Sequence, residues 1–159
     1  LNVCLEREGY LKFKSKTPQN LSEIDESSCA FALDPNRIYL HLKGKFPQGC
    51  VKESEKEALK KEIAEKMKKI EYNGRKVVRE VFDAQEIYSG AFCPDGPDLI
   101  VLSEPGFDMK GSVKKKEIFG RTSLQGMHTW DDAFFWSRND HGRGLSISNL
   151  ASIIMAHYE

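Results

Sequence analysis

Across residues 52–70, Leu59, Ile63, Met67 and Ile70 recur at intervals that place them on one face of an α-helix. Most other positions in this stretch are Lys and Glu within i,i+4 reach, which suits a solvated surface. Ser54 and Glu57 have the spacing of a capping box and predict the helix start. Asn73-Gly74 predicts a stop and a turn. One amphipathic face of this length needs a second layer to cover it.

The flanks supply that layer. Residues 29–33 are apolar, Asp34-Pro35-Asn36 is turn chemistry, and Ile38, Leu40 and Leu42 alternate with Tyr39 and His41. Together they predict a β-hairpin, closed by a tight loop at Gly44, Pro47 and Gly49. Residues 77–82, 99–102 and 133–136 read as further strands. Ser148 is expected to cap a last helix in which Leu150, Ile153, Ile154 and His157 share a face. The fold class predicted is α/β. Residues 28–92 form a small α+β subdomain of hairpin plus amphipathic helix, and residues 1–27 lead into it. Residues 93–159 alternate short apolar strands with Gly-rich loops, in the manner of an α/β core.

Composition narrows the function classes. Lys plus Arg and Asp plus Glu balance at 24 each, so no global field draws in a nucleic-acid polymer. No apolar run is long enough to span a bilayer, so no membrane partner is expected. The four cysteines, Cys4, Cys29, Cys50 and Cys93, show no CxxC spacing. They read as reduced, mostly buried thiols of a cytoplasmic protein. Residues 1–5 begin inside an apolar pattern without an initiator Met, as expected of a piece continuing from an upstream half.

Two loops could carry chemistry. In Gly126-Met127-His128-Thr129-Trp130-Asp131-Asp132, an imidazole is followed closely by carboxylates, a donor set suited to zinc or manganese. The bland alternative is a surface loop whose aspartates cap local backbone. Asn139-Asp140-His141-Gly142 could be a ligand loop, or a Gly-rich turn joining a strand to the last helix. His41 reads as a packed or solvated strand residue, and His157 as part of a helix face. Lys43-Gly44-Lys45 is a short basic loop that could meet a phosphate, although no Walker pattern surrounds it. Lys114-Lys115-Lys116 reads as a solvated turn. No GxSxG elbow is present.

Several stretches, taken in order, resemble a known family. Leu1-Asn2-Val3-Cys4-Leu5 through Gly9-Tyr10-Leu11 is similar to an N-x-W-L-x-x-x-G-Y-L segment. Cys29-Ala30-Phe31-Ala32 with Ile38-Tyr39-Leu40-His41-Leu42-Lys43-Gly44 is similar to A-Y-A … I-Y-L-N-L-K-G-R. Gly49-Cys50-Val51, Glu86-Ile87-Tyr88-Ser89-Gly90, Pro97-Asp98-Leu99-Ile100-Val101 and Gly126-Met127-His128 are similar to G-I-V, E-V-Y-x-G, P-D-L-V-V and G-x-H. In this order they resemble the C-terminal half of the type I phosphodiesterase/nucleotide pyrophosphatase group, in the alkaline phosphatase superfamily. Departures are Cys4 for Trp, His41 for Asn, Lys45 for Arg, and a last helix with Asn149 for Asp and no Pro.

The resemblance implies a phosphoric ester hydrolase using a pair of divalent metals, zinc or manganese, on a phosphoester or nucleotide. It implies an alkaline-phosphatase-like core, of which this chain is the C-terminal part. His128 carries over as a metal ligand, with Asp131 or Asp132 as a possible second acceptor behind it and Lys45 as a possible phosphate contact; Asp140-His141-Gly142 follows His128 in order and so does not match the family's S-D-H-G ligand loop, which favours the turn reading. The nucleophile and the other ligands belong to an N-terminal half upstream, which makes that half a partner and this chain inactive alone. Two alternatives are an accessory binding domain derived from the same fold, and a self-contained metalloenzyme built on His128, Asp140 and His141.

Overall fold

The computed structural model describes residues 1–121, 123, 126 and 133–158. They belong to two compact units, Leu1–Met127 and His128–Glu159. The chain is a mixed α/β protein with a small antiparallel sheet and a few helices.

The first unit opens with helix α1 (Asn2–Arg7), which packs on strand β1 (Ala30–Phe31). Asn2 is buried and works as an extra piece of β-ladder. Its Oδ1 accepts from Ala32 N–H at 2.7 Å, and its Nδ2 donates to Ala32 O at 2.9 Å and to Gly111 O at 2.7 Å. The predicted hairpin is present: β1 pairs antiparallel with β2 (Arg37–Leu40), Ala30 opposite Leu40 and Phe31 opposite Tyr39. Asn36 takes φ 68° in the turn between them. Helix α2 (Lys56–Lys68) follows a 3-10 turn, Glu53–Glu55. The cap differs from the expected Ser54 and Glu57. Glu55 Oε2 accepts from Lys52 N–H at 2.9 Å, and Glu55 N–H donates to Lys52 O at 3.0 Å, so the box starts two residues earlier. Asn73 and Gly74, at φ 51° and 70°, form the tight turn joining β3 (Glu71–Tyr72) to β4 (Arg75–Lys76).

Strands β5 (Val78–Asp83) and β6 (Leu99–Ser103) complete the main sheet in the order β1-β2-β6-β5. Helix α3 (Ala84–Ile87) lies between them in sequence. β6 was expected to belong with a separate core over residues 93–159. Instead it bonds antiparallel to both β2 and β5, placing it inside the sheet of the hairpin. Residues 38–42 are buried on both faces, Tyr39 and His41 included, which settles the packed-or-solvated alternative for His41 as packed. β2 has a neighbour on either edge, and the core covers both faces of it.

Helix α2 lies on β5 and β6. Ile63 and Met67 are fully buried as predicted, with Leu59 and Ile70 partly buried beside them. Lys56 and Lys60 are buried too, contrary to the expected solvated lysine faces. Both lie on the Ile63–Met67 side of the helix, seven and three residues ahead of Ile63, and each has a carboxylate to meet. The Lys60 ammonium is bonded to Asp83 Oδ2 and lies 2.7 Å from Glu57 Oε1. Burial works against the Lys60 charge, but the bonds to Asp83 and Glu57 outweigh it and hold its pKa above the ordinary 10.5. Burial pushes the Asp83 carboxyl up, while bonds from Lys60 and Gln85 N–H pull it below the ordinary 3.8.

By linkage, the stability from Asp83 is full above pH 3.8 and is lost as pH falls through its lower folded value. The stability from Lys60 is full below pH 10.5 and is lost as pH rises through its higher folded value. An Asp83→Asn variant should therefore melt below the parent at neutral pH. The gap should close on acidification through the lower range, as the parent's own carboxyl protonates. A Tm gap that stays constant from about pH 7 to about pH 2 would contradict this pairing.

The second unit contains a 3-10 turn, Ile147–Asn149, leading into helix α4 (Leu150–Tyr158). Ser146, not Ser148, starts it: Ser146 N–H donates to Asn149 Oδ1 at 2.7 Å. Leu150 and Ile153 are partly buried, whereas Ile154 and His157 are exposed. Residues 133–136 are not a strand, and Phe134 and Trp136 are 94% and 79% exposed. Among the described residues nothing pairs with this segment, and an apolar run without a neighbouring ladder does not become a strand.

Candidate functional site

A cleft of about 300 Å³ opens in the first unit where three stretches of chain meet: the loop after β2, the first turn of α2, and residues 84–98. Lys45, Lys56, Tyr88, Ser89, Phe92 and Asp98 are among its lining residues. Three of the stretches singled out in the sequence therefore converge here: Lys43-Gly44-Lys45, Glu86 to Gly90, and Pro97-Asp98.

The loop that carries Lys45 is held by Gly49. A Cβ on Gly49 would lie 2.1 Å from Leu42 O, so only glycine allows this approach. Lys45 Nζ donates to Gly96 O at 2.6 Å and lies 5.8 Å from the Tyr39 ring centre and 5.6 Å from the Phe46 ring centre. These rings belong to an aromatic cluster with Phe31, whose ring centre is 5.1 Å from that of Phe46. An ammonium has three donors, so one bond to Gly96 O leaves capacity for an anion.

Asp98 forms the floor. It is 3% exposed. Oδ2 accepts from Leu40 N–H at 2.8 Å, and Oδ1 lies 3.3 Å from Lys56 Nζ. Its backbone is tied as well, since Asp98 N–H donates to Ile38 O at 2.9 Å and Asp98 O accepts from Ala84 N–H at 3.0 Å. The carboxylate thus joins β2 to α2, and the backbone of the same residue joins them to the start of α3. Glu53 Oε1 also approaches the Lys56 ammonium, at 3.9 Å. The cleft presents two ammonium groups against one buried carboxylate, with the Ser89 hydroxyl and the Tyr88 and Phe92 rings along the rim. That arrangement suits an anion carried by a flat or apolar group.

Of the predicted site residues, Lys45 lines this cleft. His128, Asp131 and Asp132 lie outside the described residues. His41 is packed: Nδ1 is 3.0 Å from Ser28 O and Nε2 is 3.3 Å from Pro47 O. The Asp140-His141-Gly142 loop is a turn, as preferred: Asp140 Oδ1 accepts from Gly142 N–H at 2.8 Å, Gly142 takes φ 79°, and His141 Nε2 pairs with Ser137 Oγ at 2.9 Å. The Asp140 carboxylate is thus engaged by the Gly142 backbone and the His141 ring by Ser137. Among the described residues, no group of three or more His, Cys, Asp or Glu could hold a metal ion. They therefore do not fit a metal by themselves.

Sequence reasoning missed Lys56 and Asp98 as members of one site. The available signal was position: Lys56, Lys60, Ile63 and Met67 share a helical face, which marks the two lysines as candidates for burial. All four cysteines are free, as expected, but only Cys4 is buried; Cys29, Cys50 and Cys93 are partly exposed. Among the described residues, no helix is long and apolar enough to cross a membrane. No family model matches the chain, and neither a curated protein nor a solved structure matches it.

Proposed function

We infer that the chain is the C-terminal portion of a metal-dependent phosphohydrolase of the phosphodiesterase or nucleotide pyrophosphatase type, and that its own contribution is to bind the phosphoester. One observation carries this: the Lys45, Tyr88-Ser89-Gly90 and Pro97-Asp98 segments, which the resemblance ties together by order alone, line one cleft with two ammonium groups in it. Lys45 and Lys56 would meet phosphoryl oxygens by charge-assisted hydrogen bonds. Tyr88 and Phe92 would cover the organic part of the ester. In this reading a divalent metal pair supplies Lewis-acid chemistry, with His128 as this chain's ligand and the remaining ligands and the nucleophile upstream. The alkaline-phosphatase-like core belongs to the same proposal.

The reading predicts that the chain alone binds a nucleoside monophosphate weakly without hydrolysing phosphate esters. Calorimetric titration should give saturable binding, reduced about tenfold by Lys45→Ala, the loss of about one charge-assisted bond. Turnover of a p-nitrophenyl phosphate ester by the pure chain, or binding that ignores Lys45, would overturn it. A second reading, an accessory binding domain, draws on Tyr88 and Phe92, which are 49% and 83% exposed and line the cleft. It predicts a protein partner at that cleft and no phosphate dependence.

A further inference from the structure

A second group of reactive side chains lies away from the cleft. Cys29 and Cys50 approach each other across the end of β2. His41 N–H donates to Cys29 O at 2.8 Å, and Val51 N–H donates to His41 O at 3.1 Å, so the segments bearing the two cysteines flank residue 41. The Cys50 thiol reaches past it and donates to Ser28 O at 3.1 Å, one peptide unit from Cys29. The Cys29 thiol faces Ser27 O at 3.8 Å. Both contacts are weak S–H bonds that little opposes breaking. Both residues are partly exposed, so a small reagent can reach them. Burial pushes the Cys29 thiol up, and the charge and hydrogen bond of Cys50 push it further. With its Sγ on the carbonyl of the residue preceding Cys29, Cys50 forms a pair with Cys29 rather than a separate cysteine.

We propose that Cys29 and Cys50 are a dithiol modification site that closes to a reversible disulfide with a low-molecular-weight disulfide as oxidant. In the first step one cysteine, as thiolate, attacks a sulfur of the reagent. The protein–reagent S–S bond forms, the reagent's own S–S bond breaks, and one reagent thiolate leaves and takes up a proton. With Cys50 as the first nucleophile, the second step closes the pair. Cys29 then loses its proton and attacks Cys50 Sγ, forming the protein disulfide and expelling the second reagent thiol. The protein loses two hydrogens and two electrons, and one reagent disulfide becomes two thiols.

The link would staple residue 29 to residue 50 at the base of the loop that carries Lys45. It follows from the placement of the two thiols alone and does not depend on what the cleft binds.

The test is oxidation of the native chain with glutathione disulfide, followed by alkylation, digestion and mass spectrometry. A peptide joining Cys29 to Cys50, short of two hydrogens and released by dithiothreitol, is expected. In Cys29→Ser the reaction should stop with glutathione on Cys50. The proposal is overturned if Cys29 and Cys50 are both recovered alkylated, if both carry glutathione without closing, or if either links to Cys93 instead.

Discussion

Replacing Asp98 by alanine is expected to destabilise the first unit by about 3–5 kcal/mol, because it strands the buried Lys56 cation and leaves Leu40 N–H without an acceptor. The cost comes less from losing an ion pair than from leaving a largely buried charge and a backbone donor without their partner. Asp98→Asn separates the two parts. An amide oxygen can still accept from Leu40 N–H, so this variant should lose only about 1–3 kcal/mol. Adding Lys56→Met to Asp98→Ala removes the stranded cation and should recover part of the loss. Urea unfolding of the four proteins measures this. An Asp98→Ala chain as stable as the parent would show that Asp98 does not tie β2 to α2.

Met67→Ala is the second large effect. Met67 is fully buried where α2 lies on β5 and β6, within the same core as Val78 and Val101. Truncation removes apolar contact and leaves a cavity that a sheet and a helix cannot easily collapse around, at about 2–5 kcal/mol. Met67→Leu keeps the volume and should cost less than about 1.5 kcal/mol. Each of the two alanine variants would consume a large share of a stability that for single domains is about 5–15 kcal/mol. Thermal and urea unfolding should agree on the order, and a Met67→Leu chain as damaged as Met67→Ala would contradict the packing.

The elements legible in the sequence were those set by local chemistry. Asp34-Pro35-Asn36 placed the hairpin turn, Asn73-Gly74 placed a second, and the period of Leu59, Ile63 and Met67 placed α2. Elements set by distant partners were misread. Residues 133–136 are as apolar as 99–102, yet only the latter find neighbours, in β2 and β5. Lys56 and Lys60 look like surface residues until Asp98 and Asp83 arrive from elsewhere in the chain to neutralise them. For the candidate site, Lys45 was visible as part of a basic loop. Its union with Lys56 and Asp98 depends on how the loop after β2, α2 and the residues before β6 pack, which no local pattern encodes. The Cys29 and Cys50 pairing is of the same kind: 21 positions separate them in the chain, and only the bending of the loop closed at Gly49 brings them together.

In the proposed reading this cleft holds a phosphate ester between Lys45 and Lys56. The most direct measurement is a titration of the isotope-labelled chain with a nucleoside monophosphate, followed by amide and lysine side-chain NMR. The account predicts saturable shifts concentrated at Lys45, Lys56 and residues 88–90, with the unphosphorylated nucleoside giving far weaker ones. Shifts scattered over the surface, or equal shifts with and without the phosphate, would contradict it.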